Sequence, residues 1–199
     1  MANAYDTRAL IRFLKGHPDS AFQDFEESER IAASAALYFL RERYYNNLAV
    51  LYYETGKLTE ARRLLRTAAL FSPHVELYAL ANLAVIELSA YNFDLASSYG
   101  LRLRSTGSVT HSIIGLTVCG IADLATGNLS SAQQAFWDLH HRTNAFQLQL
   151  TDPSYTLAFA AECAPAMGID PLPAIHNALT RIAPRNIYSF LRLRLTLAR

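Results

Sequence analysis

Residues 45–52 read Tyr45-Asn46-Asn47-Leu48-Ala49-Val50-Leu51-Tyr52, and they open the stretch that decides the fold. This run predicts a helix that ends at Gly56, because helices commonly end at a glycine in the left-handed conformation. A second helix is predicted after Thr59, and Pro73 closes the unit because proline cannot continue a helix. We therefore predict a helical hairpin over residues 42–73.

One spacing recurs at four places along the chain. Each place starts at a corner residue, a glycine or in one case a tyrosine, and carries a small residue five positions later. Further residues, mostly large and apolar, follow nine and twelve positions after the corner residue. The four sets are Gly16/Ala21/Phe25/Ser28, Gly56/Ala61/Leu65/Ala68, Tyr91/Ala96/Gly100/Leu103 and Gly127/Ala132/Phe136/Leu139. Such a repeat is typical of stacked helical hairpins, which bind other chains rather than perform chemistry.

Four polar residues in a common register support four second-helix starts. Each stands two residues before the small alanine of its set and can accept a hydrogen bond from the free N–H groups of a helix start. The expected caps are Asp19, Thr59, Asp94 and Ser130. Residues 21–55 contain neither proline nor glycine, yet so long a helix would not fit a hairpin, so we expect a break near Ser34. Phe136 and Trp137 are adjacent and cannot face the same way, so one of them is expected in the core.

Composition indicates a folded protein of nearly neutral charge. The apolar fraction of 51% is too high for a disordered chain. The net charge is +1, whereas a protein that grips a phosphate backbone is usually clearly basic, so nucleic acid is not favoured. Cys119 and Cys163 cannot form a disulfide framework, which indicates a reducing compartment. No apolar run is long enough to span a membrane and no signal peptide is recognisable, so we expect a cytoplasmic protein without a membrane partner.

The pattern weakens after Arg142. A degenerate fifth hairpin is expected over 153–183, followed by a terminal helix over 186–198. Leucines in this last segment also alternate with polar residues as in a strand, but the helical context favours a helix. Because its apolar positions cover much of the circumference, we expect this helix either to continue into a longer protein or to dock on another chain, which would allow self-association.

Residues 42–75 resemble a tetratricopeptide repeat. The matching positions are Tyr45 in place of the family's tryptophan, Leu48, Ala49, Tyr52, Gly56, Ala61, Leu65, Ala68 and Pro73. The second and third units are similar, and the resemblance is partial over 5–34 and 153–183. It implies an all-α, right-handed superhelical solenoid of stacked antiparallel hairpins as a single domain. The implied hairpins are 5–34, 42–73, 77–107, 111–142 and 153–183.

The resemblance also implies a peptide-binding groove, because in this family the first helices of successive hairpins line a concave surface. Carried over to this sequence, the groove residues are Arg43, Asn46, Asn47, Val50, Tyr53, Glu54, Tyr78, Asn82, Val85, Leu88, Ile114, Thr117 and Ile121. Asn47 and Asn82 occupy the same place in consecutive units. Relatives use asparagines there to hydrogen-bond an extended peptide, although asparagine is also simply common at this position.

The groove departs from the family members that hold acidic peptide tails. Those members use lysine and arginine at set positions, where this chain has Asn46, Val50, Ile114 and Val118. A carboxylate clamp is therefore not expected. An apolar groove with aromatic edges suits an amphipathic helix or an apolar extended segment. The alternative is that the chain's own terminal helix fills the groove.

No constellation of residues predicts an enzyme, a metal site or a cofactor. His140 and His141 lie beside Asp138, but adjacent histidines on a helix point about 100° apart and make poor joint ligands. Cys119 stands where the family buries a leucine, so we expect a core thiol rather than a nucleophile.

We therefore expect a non-enzymatic protein–protein interaction module that binds an apolar or amphipathic peptide or helix. One alternative is a sensor or oligomerisation segment of a larger bacterial regulatory protein. Another is an RNA-binding helical repeat, because the 35-residue interval between Gly56 and Tyr91 also fits pentatricopeptide repeats. In that case Arg62, Arg63 and Arg66 would be the patch to test, although the same arginines also suit a solvated outer face.

Overall fold

The computed structural model describes residues 2–35, 38–70 and 73–146, and this part of the chain is entirely helical. The predicted all-α class is confirmed. The helices are α1 (Ala2–Leu14), α2 (Pro18–Ser34), α3 (Tyr38–Glu54), α4 (Leu58–Ala68), α5 (Pro73–Ser89), α6 (Phe93–Arg104), α7 (Val109–Ala125) and α8 (Leu129–Phe146). The predicted fifth hairpin, 153–183, and the terminal helix, 186–198, lie outside the described residues and stay predictions.

The chain divides into two compact units, unit 1 over Met1–Ile86 and unit 2 over Glu87–Arg199. The boundary falls within α5. In unit 1, α1 packs against α2 and α3, α2 packs against α3, and α3 packs against α4. In unit 2, α7 packs against both α6 and α8. The break expected near Ser34 is confirmed, because α2 ends at that residue.

The same pair of backbone hydrogen bonds forms at all four corners, one from the corner residue and one from the residue after it. The Gly56 N–H donates to the Tyr53 carbonyl at 3.0 Å, and the Lys57 N–H donates to the Tyr52 carbonyl at 2.8 Å. The other three corners repeat both bonds at the equivalent positions. This pattern is the Schellman motif, which satisfies the last carbonyls of one helix while reversing the chain.

The motif requires a left-handed backbone at the corner residue. The three corner glycines have φ between 79° and 82°, and Tyr91 has φ 60°. A residue with a Cβ adopts this conformation at a cost of roughly 1–2 kcal/mol. Tyr91 adopts this conformation at the third corner along the chain, where its ring packs edge-on against Phe93 with centroids 6.1 Å apart. The sequence spacing therefore identified a corner that lacks the usual glycine.

The second helices start two residues earlier than the predicted caps imply. The N-cap residues of α2, α4 and α6 are His17, Lys57 and Asn92, and none makes a side-chain cap hydrogen bond. The corner is the reason, because the residue after it already offers its carbonyl to the alanine of the set; the Ala61 N–H donates to the Lys57 carbonyl at 3.1 Å. The predicted caps lie within the first turn, so the cap prediction was wrong. The residues corrected in this way are Asp19, Thr59, Asp94 and Ser130.

The positions that the spacing marks form the core of each hairpin. All twelve residues that stand five, nine and twelve positions after a corner residue are buried. The one hydroxyl among them, Ser28 Oγ, donates to the Ala2 carbonyl at 3.0 Å, so burying it does not leave it unbonded. Phe136 is the buried member of its pair, as one of the two was expected to be, and Trp137 is 42% exposed.

A buried carboxylate joins the first two helices of unit 1. Asp24 on α2 accepts hydrogen bonds from Arg8 Nε at 2.8 Å and Arg8 Nη2 at 2.6 Å, and Arg12 Nη1 lies 2.9 Å away. The hydrogen bonds from Arg8, together with the charge of Arg12, lower the pKa of Asp24 below its usual value. Asp24 is thus held ionised between two α1 arginines, which compensates for its burial.

In unit 2, α6 and α7 cross with their backbones in contact. A Cβ added at Gly115 would lie 2.7 Å from the Arg104 amide nitrogen, and the Gly100 carbonyl oxygen is nearer still. A Cβ added at Gly100 would lie 2.8 Å from Cys119 Sγ. At Gly115 the crossing has room only for glycine, because the two nearest atoms belong to the backbone and cannot rotate aside.

The corner geometry predicts opposite effects at Gly56 and Tyr91. Gly56→Ala should lower the free energy of unfolding by about 1 kcal/mol, because the new Cβ meets no atom but the backbone stays left-handed. Tyr91→Gly should leave the free energy of unfolding equal or higher, although it deletes a whole aromatic side chain. Urea denaturation followed by circular dichroism measures both. A large destabilisation by Tyr91→Gly would contradict the assignment.

The helix crossing predicts that Gly115→Ala lowers the free energy of unfolding by about 3 kcal/mol, at the upper end of overpacking effects. Gly107→Ala is the matched control, because a Cβ there meets no atom within 4 Å and its φ lies outside the left-handed region. The same urea titration compares the two variants. Equal stability of both would show that α6 and α7 do not approach this closely.

Candidate functional site

Hydrogen bonds between side chains join the first helices of unit 1. Asn47 Nδ2 on α3 donates to both carboxylate oxygens of Asp6 on α1, at 3.3 and 3.1 Å. Asn82 Nδ2 on α5 donates to Asn46 Oδ1 on α3 at 2.9 Å. We call these four residues the inter-helix ladder. It links α1, α3 and α5 in sequence order.

The inter-helix ladder follows the same repeat as the corners. Its two donors each stand nine residues before a corner residue, and its two acceptors each stand ten residues before one. Each donor therefore bonds to the acceptor position of the preceding first helix. The next step of the repeat would use Ala81 as acceptor and Val118 as donor, and neither side chain can form a hydrogen bond. The polar ladder thus ends at α5.

The ladder changes the interpretation of the predicted asparagine pair. Asn47 and Asn82 are half-buried, and their amide nitrogens bond to side chains of the same chain. Each of these amide nitrogens therefore has at least one N–H group engaged within the scaffold rather than offered to a peptide. Sequence spacing identified the two positions as equivalent, but the acceptors that they use became visible only in three dimensions.

The other predicted groove residues of unit 1 are partly accessible. Tyr78 is 47% exposed, and Val50, Tyr53 and Val85 are half-buried. Tyr78 and Val85 lie about one turn to either side of Asn82 along α5, and Val50 lies one turn from Asn46 along α3. We call the surface formed by Asn46, Val50, Tyr53, Tyr78, Asn82 and Val85 the α3–α5 face. The side chain of Arg43 lies outside the described residues.

Glu54, at the end of α3, is an acidic group in an apolar setting. Burial raises the pKa of its carboxyl, and its Oε2 atom is buried without a hydrogen-bond partner. A carboxyl in such a place favours its neutral form more than an exposed one does.

The predicted groove residues of unit 2 lie mostly in the interior. Leu88, Thr117 and Ile121 are buried, and Ile114 is half-buried. The Thr117 hydroxyl donates to the Ile113 carbonyl at 3.0 Å, within its own helix. Helix α7 is itself buried on nearly all sides: between His111 and Ala122, every residue except Ile114 is buried. Most of this part of the predicted groove is covered, so the accessible part lies on unit 1.

The candidate nucleophile and the candidate metal ligands of the described residues are engaged in contacts within the fold. Cys119 is buried at the helix crossing, its Sγ lies 3.8 Å from the Ser97 carbonyl, and burial raises the pKa of its thiol. A thiol with a raised pKa is a weak nucleophile at neutral pH. Asp138 accepts a hydrogen bond from Gln134, and His141 stacks on Trp137. Cys163 and the side chain of His140 lie outside the described residues.

The described part of the chain contains neither a cluster of metal ligands nor a membrane-spanning helix. Among residues 2–35, 38–70 and 73–146, no group of three or more His, Cys, Asp and Glu side chains could hold a metal ion. None of the helices described there is long and apolar enough to cross a membrane. No family model, curated protein or solved structure matches the chain.

The two bonds of the inter-helix ladder predict unequal stability losses. Asn47→Ala should lower the free energy of unfolding by about 1–3 kcal/mol, because Asp6 is only 3% exposed and loses a donor to its carboxylate. Asn82→Ala should cost about 0.5–1.5 kcal/mol, since it removes a bond between two neutral amides. Chemical denaturation gives both values.

Gln134→Ala is the matched control for this comparison. Gln134 Nε2 also donates to a carboxylate, that of Asp138, but the pair is exposed on α8. Its loss should cost no more than about 0.5 kcal/mol. If Asn47→Ala cost as little as this control, the ladder would not stabilise unit 1.

Proposed function

We propose that this protein is a non-enzymatic protein–protein interaction module and that the α3–α5 face of unit 1 binds an apolar or amphipathic peptide or helix. The stacked hairpins would form a right-handed solenoid of the tetratricopeptide type. In this proposal the scaffold supplies rigidity and the face supplies contacts, and no chemical step takes place.

The observation that carries the proposal is the combination of a rigid base with accessible apolar side chains. The Asn46–Asn82 hydrogen bond fixes the spacing of α3 and α5 at the centre of the face. Around that bond lie Tyr78, nearly half exposed, and the half-buried Val50 and Val85. A surface that is already ordered loses little conformational entropy on binding, which favours affinity.

The chemistry of the face favours an amphipathic ligand over a charged one. Its apolar side chains offer contact area, and a partly exposed tyrosine is a frequent binding hot spot. The side-chain oxygen of Asn82 can accept a hydrogen bond from a polar edge of the ligand. The residues that define the face include no lysine, arginine, aspartate or glutamate.

The test begins with peptides selected by phage display against the full-length chain. Their dissociation constants are then measured by fluorescence anisotropy for the native protein and for Tyr78→Ala combined with Val50→Asp. We expect this variant to weaken binding at least about tenfold, equivalent to about 1.4 kcal/mol, while its circular dichroism spectrum stays native.

Leu101→Ala is the control, because Leu101 is a 57% exposed apolar residue on α6 of unit 2. It should change the dissociation constants by less than about twofold. Selection of no peptide, or peptides whose binding depends on Leu101 and not on the α3–α5 face, would refute the proposal.

A further inference from the structure

Helix α4 has an outer surface that is not part of the α3–α5 face. Its buried residues are Ala61, Leu64, Leu65 and Ala68. The residues on its other side, together with one just beyond its end, border an open hollow of about 530 Å³. They are Thr59, Arg62, Arg63, Arg66, Thr67 and Leu70. We call this surface the α4 outer face.

The charge on this face is unusual for unit 1. Arg8, Arg12, Arg30 and Arg41 each lie within ion-pair distance of a carboxylate, between 2.6 and 3.3 Å. Among the described residues, Arg63 and Arg66 have no such partner, and both are exposed.

Repulsion between the arginines of α4 lowers the stability of this helix. Arg63 and Arg66 are three positions apart, and Arg62 and Arg66 are four apart, so each pair of like charges lies on one side of α4. Such pairs destabilise a helix by about 0.2–0.5 kcal/mol each. The helix dipole favours a cation at Arg66, in the last turn, but this effect does not extend to Arg63. A partner that carries carboxylates would remove the repulsion.

A bare apolar side chain completes the face. Leu70 is 86% exposed, the largest exposure among the large apolar residues described, and it lies one turn beyond Arg66. A phosphate backbone has no apolar surface to pack against such a side chain, whereas an amphipathic protein segment can cover it. The net charge of +1 also gives the chain little general attraction for a polyanion.

We propose that the α4 outer face binds an acidic amphipathic segment of another protein. Two carboxylates of the segment pair with Arg63 and Arg66, whose planar guanidinium groups can each donate two hydrogen bonds to a carboxylate. An apolar side chain of the same segment covers Leu70. This second site is independent of the α3–α5 face, because α4 contributes no residue to that face.

The experiment uses the full-length chain and three fluorescent probes. The first is a helix-forming peptide with glutamates three and four residues apart and leucines on the same side. The second is the same peptide with lysine in place of each glutamate, and the third is a single-stranded RNA oligonucleotide. We expect anisotropy to show binding of the acidic peptide, and weaker binding or none of the other two.

Charge reversal tests the arginines. Arg63→Glu combined with Arg66→Glu should raise the dissociation constant of the acidic peptide at least about tenfold. Arg30→Glu combined with Arg102→Glu changes the net charge equally at exposed positions elsewhere and should raise it less than about threefold. Leu70→Ser should raise it about fivefold through lost apolar contact. Tyr78→Ala should leave it unchanged, which separates this site from the α3–α5 face.

Three results would overturn the proposal. One is that the acidic peptide does not bind, or that it binds the variant with Arg63→Glu and Arg66→Glu as tightly as the control variant with two glutamates elsewhere. Another is that RNA binds more tightly than the peptide and that Leu70→Ser leaves the dissociation constant of the RNA unchanged. That result would assign the face to nucleic acid. The last is that Arg63→Gln combined with Arg66→Gln lowers the melting temperature by several degrees, because removal of a repulsive pair should not destabilise the fold.

Discussion

Two backbone hydrogen bonds at each corner are the constraint on which the hairpins depend. They satisfy carbonyl groups that the end of a helix would otherwise leave without partners, and they require a left-handed residue between the two helices. Because the corner is so short, the following helix starts at once and its alanine, five residues on, must lie against the preceding helix. This explains why a local backbone requirement fixes the whole spacing of small and large core residues.

Hydrogen bonds join the first helices of unit 1. In unit 1 the contacts between α1, α3 and α5 include hydrogen bonds from asparagines that repeat with the hairpins. At the next equivalent positions, Ala81 and Val118 are buried and apolar. A hydrogen bond needs a defined geometry, so the ladder specifies the spacing of its own helices more strictly than apolar contact alone would. The accessible candidate surface lies on this more strictly specified part of the molecule.

The second helices differ in the chemistry of their outer sides. Helix α6 packs its inner side against α7 through a glycine crossing that depends on Gly100 and Gly115. Helix α4 buries one apolar side and leaves an arginine-rich side exposed. At the repeat positions of Arg63 and Arg66, α6 carries Ser98 and Leu101, which are exposed as well, so the two outer sides differ in charge rather than in access.

The sequence by itself determined the helical class and the corners, including the corner at Tyr91, because both follow from local backbone preferences and from spacing. It also marked the twelve core positions, since the periodicity of a helix decides which residues face inward. It misplaced the helix starts by two residues, because the cap residues depend on how tightly the corner closes. Only the tertiary structure decided that Asn47 bonds to Asp6, that Leu88, Thr117 and Ile121 are covered, and that Gly115 lies against Arg104. These facts depend on contacts between residues distant in sequence, and such contacts arise only when whole helices pack together.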